Sequence, residues 1–365
     1  MSKKNENKRK FDLKSAILLL LLLAVLLTAS TYAWFTANRT VTVDDIDVNI
    51  AAQNGLQISA NGVDWGATVT TVDLKKGYAT PSGVNDTNQL PSTMEPVSTA
   101  GTVASGKMAM FYGKLDPDGN TYSLTATAEP AEVKTTDSNP TVGKYVAFDI
   151  FLKVNQDEDT VILGENSHVI FKKGTTDRGI QNAARVAFLI EGNADENAGQ
   201  EVFVGKNGAL SFTDSSNTGT TKTTYIWEPN SDVHTDSAVT YGKDMYKMAE
   251  HGITIQKTGS AVIPCYGINQ VISKGAPVKL INAFYGKDLD SGSTPIDSFT
   301  QITPSYSTGV DYTSTSTPVT AFSLKQGVTK VRIYMWIEGQ DVDCENTASG
   351  SDATFKVEFR LPEVS

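Results

Sequence analysis

The chain has 365 residues, 39% hydrophobic and 20% charged, with a formal net charge of −10. That length accommodates one large domain or two ordinary ones with sizeable cores. Residues 1–33 hold six basic and two acidic side chains, leaving 25 basic against 39 acidic elsewhere, a net of −14. Such acidity repels phosphate backbones and anionic lipid, which argues against a nucleic-acid partner and against membrane contact beyond the N-terminal segment.

A basic stretch from Lys3 to Lys14 precedes the apolar run Ala16–Leu27, and "TASTYA" offers small residues before a cut between Ala33 and Trp34. This reads as a signal peptide over residues 1–33. The apolar run is shorter than the roughly 20 residues of a membrane span. Continued through Phe35 it reaches about that length, with Tyr32 and Trp34 as interfacial aromatics, so a retained anchor is the alternative.

The next segment alternates, but its phase changes. Val41 and Val43 are odd-numbered, whereas Ile46, Val48 and Ile50 are even-numbered, and the flip falls at Asp44-Asp45. One straight strand cannot bury both sets on one side. Either a bulge or bend absorbs the extra residue, or Trp34–Val43 is a separate segment. In the second case Phe35, Val41 and Val43 form one face of a candidate donor strand that pairs with another subunit.

Further along, "KYVAFDIFLKV" sets Val146, Phe148, Ile150, Leu152 and Val154 on one face, with Tyr145, Asp149 and Lys153 opposite. "DRGIQNAA" predicts a short helix, and "ARVAFLIEG", apolar on both faces, a central strand. "YGKDMYKMAEHG" predicts a second short helix. "TKVRIYMWIEG" turns Val331, Ile333, Met335 and Ile337 inward, and "TFKVEFRL" adds Phe355, Val357, Phe359 and Leu361. Asn-Gly and Asp-Gly steps recur as turn signals. The fold class is all-β: an antiparallel sandwich or jelly roll over residues 34–365, with Ser/Thr/Asn-rich insertions at 77–142 and 211–250 and a few short helices. A second small domain within 205–325 is the alternative.

Chemistry is sparse. The three histidines, His168, His234 and His251, lack the spacing that puts two zinc ligands on one helical face. No nucleophile elbow, phosphate loop or dinucleotide fingerprint appears, and no cofactor is implied. Three acidic stretches have oxygen ligands in the manner of calcium loops: "DPDGN" at Asp116, "DLDSGS" at Asp288, and "EGQDVDCEN" with Glu338, Asp341, Asp343 and Glu345. Each serves equally as a turn or solvated loop. Cys265 and Cys344 either pair in an oxidising exterior or stay buried as thiols.

"STYAWFTANRTVTVDDIDVNIAA" resembles the signal and mature start of the TasA/camelysin-like exported proteins of Gram-positive bacteria, through Ala33, Trp34, Phe35 and Thr36 followed by the strand Ile46–Ile50. "VRIYMWIEGQDVDCEN…FKVEFRL" resembles the closing strands of its clostridial members. The resemblance implies a jelly-roll subunit exported through a dedicated signal peptidase. It also implies cell-surface or biofilm-matrix fibres in which other copies of the chain are the partners. It carries a protease label too, for which this sequence offers no catalytic constellation. A surface adhesin or glycan-binding module is the other reading, with Trp65, Tyr225 and Trp227 as an aromatic platform.

Overall fold

The computed structural model describes residues 40–362 apart from 52–54, 81–82, 85–87, 100, 102, 105, 116–121, 127–141, 173, 205–223, 231–232, 245–255, 258–298, 303–318, 340 and 346–347. Strands dominate, and most belong to two large sheets. In chain order these are β1 (Val41–Ile50), β2 (Gln57–Ser59), β3 (Thr68–Thr70), β4 (Thr93–Met94), β5 (Val142–Gly143), β6 (Val146–Val154) and β7 (Glu158–Leu163). They continue as β8 (His168–Phe171), β9 (Ala184–Ala194), β10 (Thr224–Trp227), β11 (Phe299–Ile302), β12 (Val319–Leu324), β13 (Gly327–Ile337) and β14 (Asp352–Arg360). Helices are short: α1 (Thr71–Lys76), α2 (Gln200–Phe203) and α3 (Asp236–Asp244), with a 3-10 turn at Ile180–Ala183.

An eight-stranded sheet runs β5-β4-β1-β14-β7-β12, with β3 also on β1 and β8 also on β14. A six-stranded sheet runs β11-β10-β9-β13-β6-β2. The all-β sandwich predicted from the alternation is present, and most pairs are antiparallel. Among the described residues three are parallel: β1 with β14, β4 with β5, and β10 with β11.

The phase change in β1 has a direct cause. Val43 stands opposite Ala353 and Asp45 opposite Thr354, so Asp44 is an extra residue in the ladder. One inserted residue flips the parity, and Val41, Ile46, Val48 and Ile50 are then all buried in one core. The bulge is the alternative realised. It corrects the donor-strand assignment at Val41 and Val43: Val41 pairs with Met94 and is fully buried, and Val43 packs against the same core within the chain's own sheet.

The predicted core faces meet in the sandwich. Val331, Ile333, Met335 and Ile337 of β13 share one cluster with Phe355, Val357, Phe359 and Leu361. The Phe359 ring sits edge-on to Phe188 at 5.5 Å and to Phe322 at 5.7 Å. Central strand β9 is buried on both faces over most of its length, as its composition predicts.

The outer face of the six-stranded sheet departs from expectation. All of β13 is buried, including Lys330, Arg332, Tyr334 and Trp336, which alternate with the core residues. Val97, Met108 and Met110 pack there against Tyr145, Tyr334 and Trp336. Part of the 77–142 stretch is therefore a third layer, which buries a face that an isolated sandwich would leave wet. The 211–250 stretch is more than decoration as well, since it supplies β10 to the sheet. The 3-10 turn falls within "DRGIQNAA". Helix α3 starts ahead of the predicted Tyr241 and is described to Asp244.

Candidate functional site

Two groups of charged side chains lie inside the protein, and both are built by the six-stranded sheet. The first is on its outer face. Asp149 of β6 stands opposite Arg332 of β13, and Phe151 opposite Lys330, which puts Lys330 diagonal to Asp149 on one face. Asp149 Oδ1 accepts from Arg332 at 2.7 Å, while its Oδ2 accepts from the Tyr78 hydroxyl at 2.8 Å and pairs with Lys330 Nζ at 3.2 Å. Lys330 Nζ also meets Glu191 Oε2 at 2.7 Å. Glu191 sits at a β9 bulge, where the register shifts between Ile190 and Gly192 opposite Val331 and Lys330. The bulge re-aims that carboxylate toward the lysine.

Two acids and two bases balance in this seam, the condition under which buried charge is tolerated. Burial pushes the Asp149 carboxyl above its ordinary range, opposed by Lys330. Burial also disfavours the Lys330 cation, but Asp149 and Glu191 outweigh it and hold the ammonium well above its usual value. Phe151, Tyr78, Phe203 and Val328 form an apolar cluster beside the seam. From the layer above, Asn88 accepts a hydrogen bond from the Asp149 amide. Polar pairing and apolar packing together fasten the 77–110 stretch to the sheet.

The second group closes one end of the sandwich. Arg185, at the start of β9, reaches Glu228 Oε1 at 2.8 Å and Asp341 Oδ2 at 2.6 Å, and its other terminal nitrogen donates to the Ala184 carbonyl. His234 Nδ1 lies 2.6 Å from Asp343 Oδ2, and Asp343 Oδ1 accepts from the Thr235 amide. Trp336 Nε1 donates to Glu338. Four buried carboxyls thus face one arginine and one histidine. The excess negative charge is relieved by protonation: burial drives Glu228 up to about 8, against the pull of Arg185. Burial likewise raises Asp343 to about 6. It opposes the His234 cation, but Asp343, Asp341 and Glu228 together hold that imidazole above its ordinary value.

Asp341 and Asp343, read as candidate calcium ligands, are spent on these internal partners. Among the described residues no cluster of His, Cys, Asp and Glu has the arrangement of a metal site. The stretches at Asp116 and Asp288, and His251, lie outside the described residues, as do Ala33, Trp34, Phe35 and Cys265. Cys344 is buried in the core cluster. The apolar run Ala16–Leu27 also lies outside them, and among the described residues no helix is long and apolar enough to cross a membrane.

The aromatic platform does not assemble. Trp227 is fully buried and Tyr225 packs on Phe322 at 5.9 Å, so both serve the core. Trp65 is separate and half-buried. It lines a surface groove of about 240 Å³ with Asn61, Asp64, Asp73 and Lys76, and Lys153 Nζ sits 4.6 Å from its ring centroid. Asn61 and Asp73 are already engaged, the first in a turn with Val63 and Asp64, the second in the capping box of α1.

No family model, curated protein or solved structure matches this chain.

The sequence reading missed Arg185, Glu191, Glu228 and Lys330 as partners. Asp341 and Asp343 stood out, but Arg185 and His234 lie more than a hundred positions away, and pairings at that distance leave no spacing signal.

Proposed function

We propose that the protein is an exported structural subunit of the cell surface or extracellular matrix, with no enzymatic role, and that its copies associate into fibres through the segment ahead of β1. The observation that carries this reading is a sheet edge with a single neighbour among the described residues, in a chain whose sequence continues ahead of β1. β12 ends the eight-stranded sheet and, among the described residues, pairs with β7 alone. An edge of unpaired backbone groups invites a strand from another chain. Cleavage between Ala33 and Trp34 leaves the seven residues 34–40 ahead of β1, enough to run the six-residue length of β12. The resemblance to TasA/camelysin-like proteins points the same way, together with the jelly-roll connectivity and dedicated signal peptidase it implies. The described charged clusters also support it, because they are consumed by internal pairing.

Export is tested by the mass of the extracellular protein, which this reading expects to begin at Trp34. A full-length chain confined to the membrane fraction overturns that part.

A glycan-binding role is the second reading, favoured by the Trp65 groove with its neighbouring carboxylates. Saccharide binding by the purified protein that disappears in Trp65→Ala, with the fold retained, would support it over the structural role.

A further inference from the structure

We propose that Lys330 and Asp149 condense into an intramolecular amide that covalently staples β13 to β6, with Glu191 relaying the proton. The seam contains what such a reaction needs and little that would compete with it. The amine nitrogen stands 3.2 Å from Asp149 Oδ2, on adjacent antiparallel strands that hold the two groups in fixed register. Arg332 grips the other carboxylate oxygen at 2.7 Å, where negative charge develops when the carboxyl carbon is attacked. The Tyr78 hydroxyl, 2.8 Å from Oδ2, donates to the oxygen that must leave. Glu191, 2.7 Å from the lysine nitrogen, is the base on the opposite side. Asp149 is 1% exposed and Lys330 9% exposed, so the site is poor in the water that would reverse the reaction.

The step balances without an oxidant or cofactor. The ion pair first exchanges one proton, giving a neutral Lys330 amine and a neutral Asp149 acid; burial favours that form, against the Asp149 and Glu191 charges that otherwise hold the ammonium. The amine lone pair attacks Cγ of Asp149, forming the C–N bond and placing negative charge on Oδ1 against Arg332. Glu191 takes one proton from the nitrogen and returns it to the protonated Oδ2. The C–Oδ2 bond breaks, and that oxygen departs as water. The products are a secondary amide, one water and Glu191 as carboxylate again. Holding both groups in contact replaces an improbable bimolecular encounter with a local one. Benefit to the protein is plain, since β6 and β13 are neighbours at the middle of the six-stranded sheet.

Intact-mass measurement of the purified protein, followed by peptide mapping, tests this. The expected result is a chain lighter by one water than its sequence from the observed N-terminus. Trypsin should fail to cut after Lys330, and a branched peptide should join Lys330 to Asp149. Glu191→Gln, which keeps the side chain's shape, should restore the full mass and the cut. A wild-type mass equal to that of the sequence overturns the proposal and leaves an ordinary ion pair. So does a water deficit that maps elsewhere, as to a succinimide at Asp118-Gly119, or one that persists in Glu191→Gln.

Discussion

His234 Nδ1 lies 2.6 Å from Asp343 Oδ2 at the closed end of the sandwich. The pair belongs to a cluster whose protons are bound more tightly in the folded chain than in the unfolded one. Glu228 rises from its ordinary 4.5 to about 8, Asp343 from 3.8 to about 6, and His234 lies above 6.5. The native state therefore holds more protons, and stability falls as pH rises. The Asp343 share is lost between about 3.8 and 6 and the Glu228 share between about 4.5 and 8; the His234 share is lost above 6.5. His168, lowered by burial, opposes the trend below 6.5. Between pH 6.5 and 8.5 the melting temperature should drop, and Glu228→Gln should flatten the slope. A wild-type melting temperature that holds steady or rises across that interval contradicts the assignment.

Among the described residues Arg185 is the cluster's one permanent cation. Arg185→Met leaves Glu228 and Asp341 buried without it, and breaking such a pair from one side costs about 3–5 kcal/mol. Denaturant unfolding should show a clear loss of midpoint. A shift below about 1 kcal/mol, the worth of a surface pair, would mean that the cluster is solvated.

In the core, Phe359 touches both sheets through Phe188 and Phe322. Phe359→Ala should cost about 3–5 kcal/mol through lost transfer energy and the cavity left behind. Wild-type thermal stability in that variant would show that the face assignment of β14 is wrong.

The turn into β13 depends on Gly327, whose φ of +107° suits glycine and whose added Cβ would run into the Ala194 carbonyl oxygen. Backbone strain of this kind costs about 1–3 kcal/mol, so Gly327→Ala should destabilise measurably in urea. An unchanged midpoint would show that the turn relaxes freely.

The sequence made β14 legible because one of its faces stays partly exposed: Lys356, Glu358 and Arg360 alternate with buried residues. The phase flip at Asp44-Asp45 was legible as well, though its two explanations were separable only once Thr354 appeared opposite Asp45. β13 misled in part. Lys330 and Arg332 look like a wet face by composition, yet Tyr334 and Trp336 on that face were a sign that something covers it. Its cover comes from Val97–Met110, over two hundred residues earlier in a weakly periodic stretch, and tertiary contacts of that range leave no local pattern.

The proposal that copies assemble through the segment ahead of β1 is tested most directly by truncation at the boundary of the sheet. Val41 is buried in the chain's own core, so the cut belongs at Thr40 and not within β1. Two proteins, one beginning at Trp34 and one at Thr40, are compared by negative-stain imaging under the same conditions, with circular dichroism confirming that both are folded. The account predicts fibres from the first and folded, dispersed monomers from the second. Fibres of normal appearance from the chain beginning at Thr40 would contradict it.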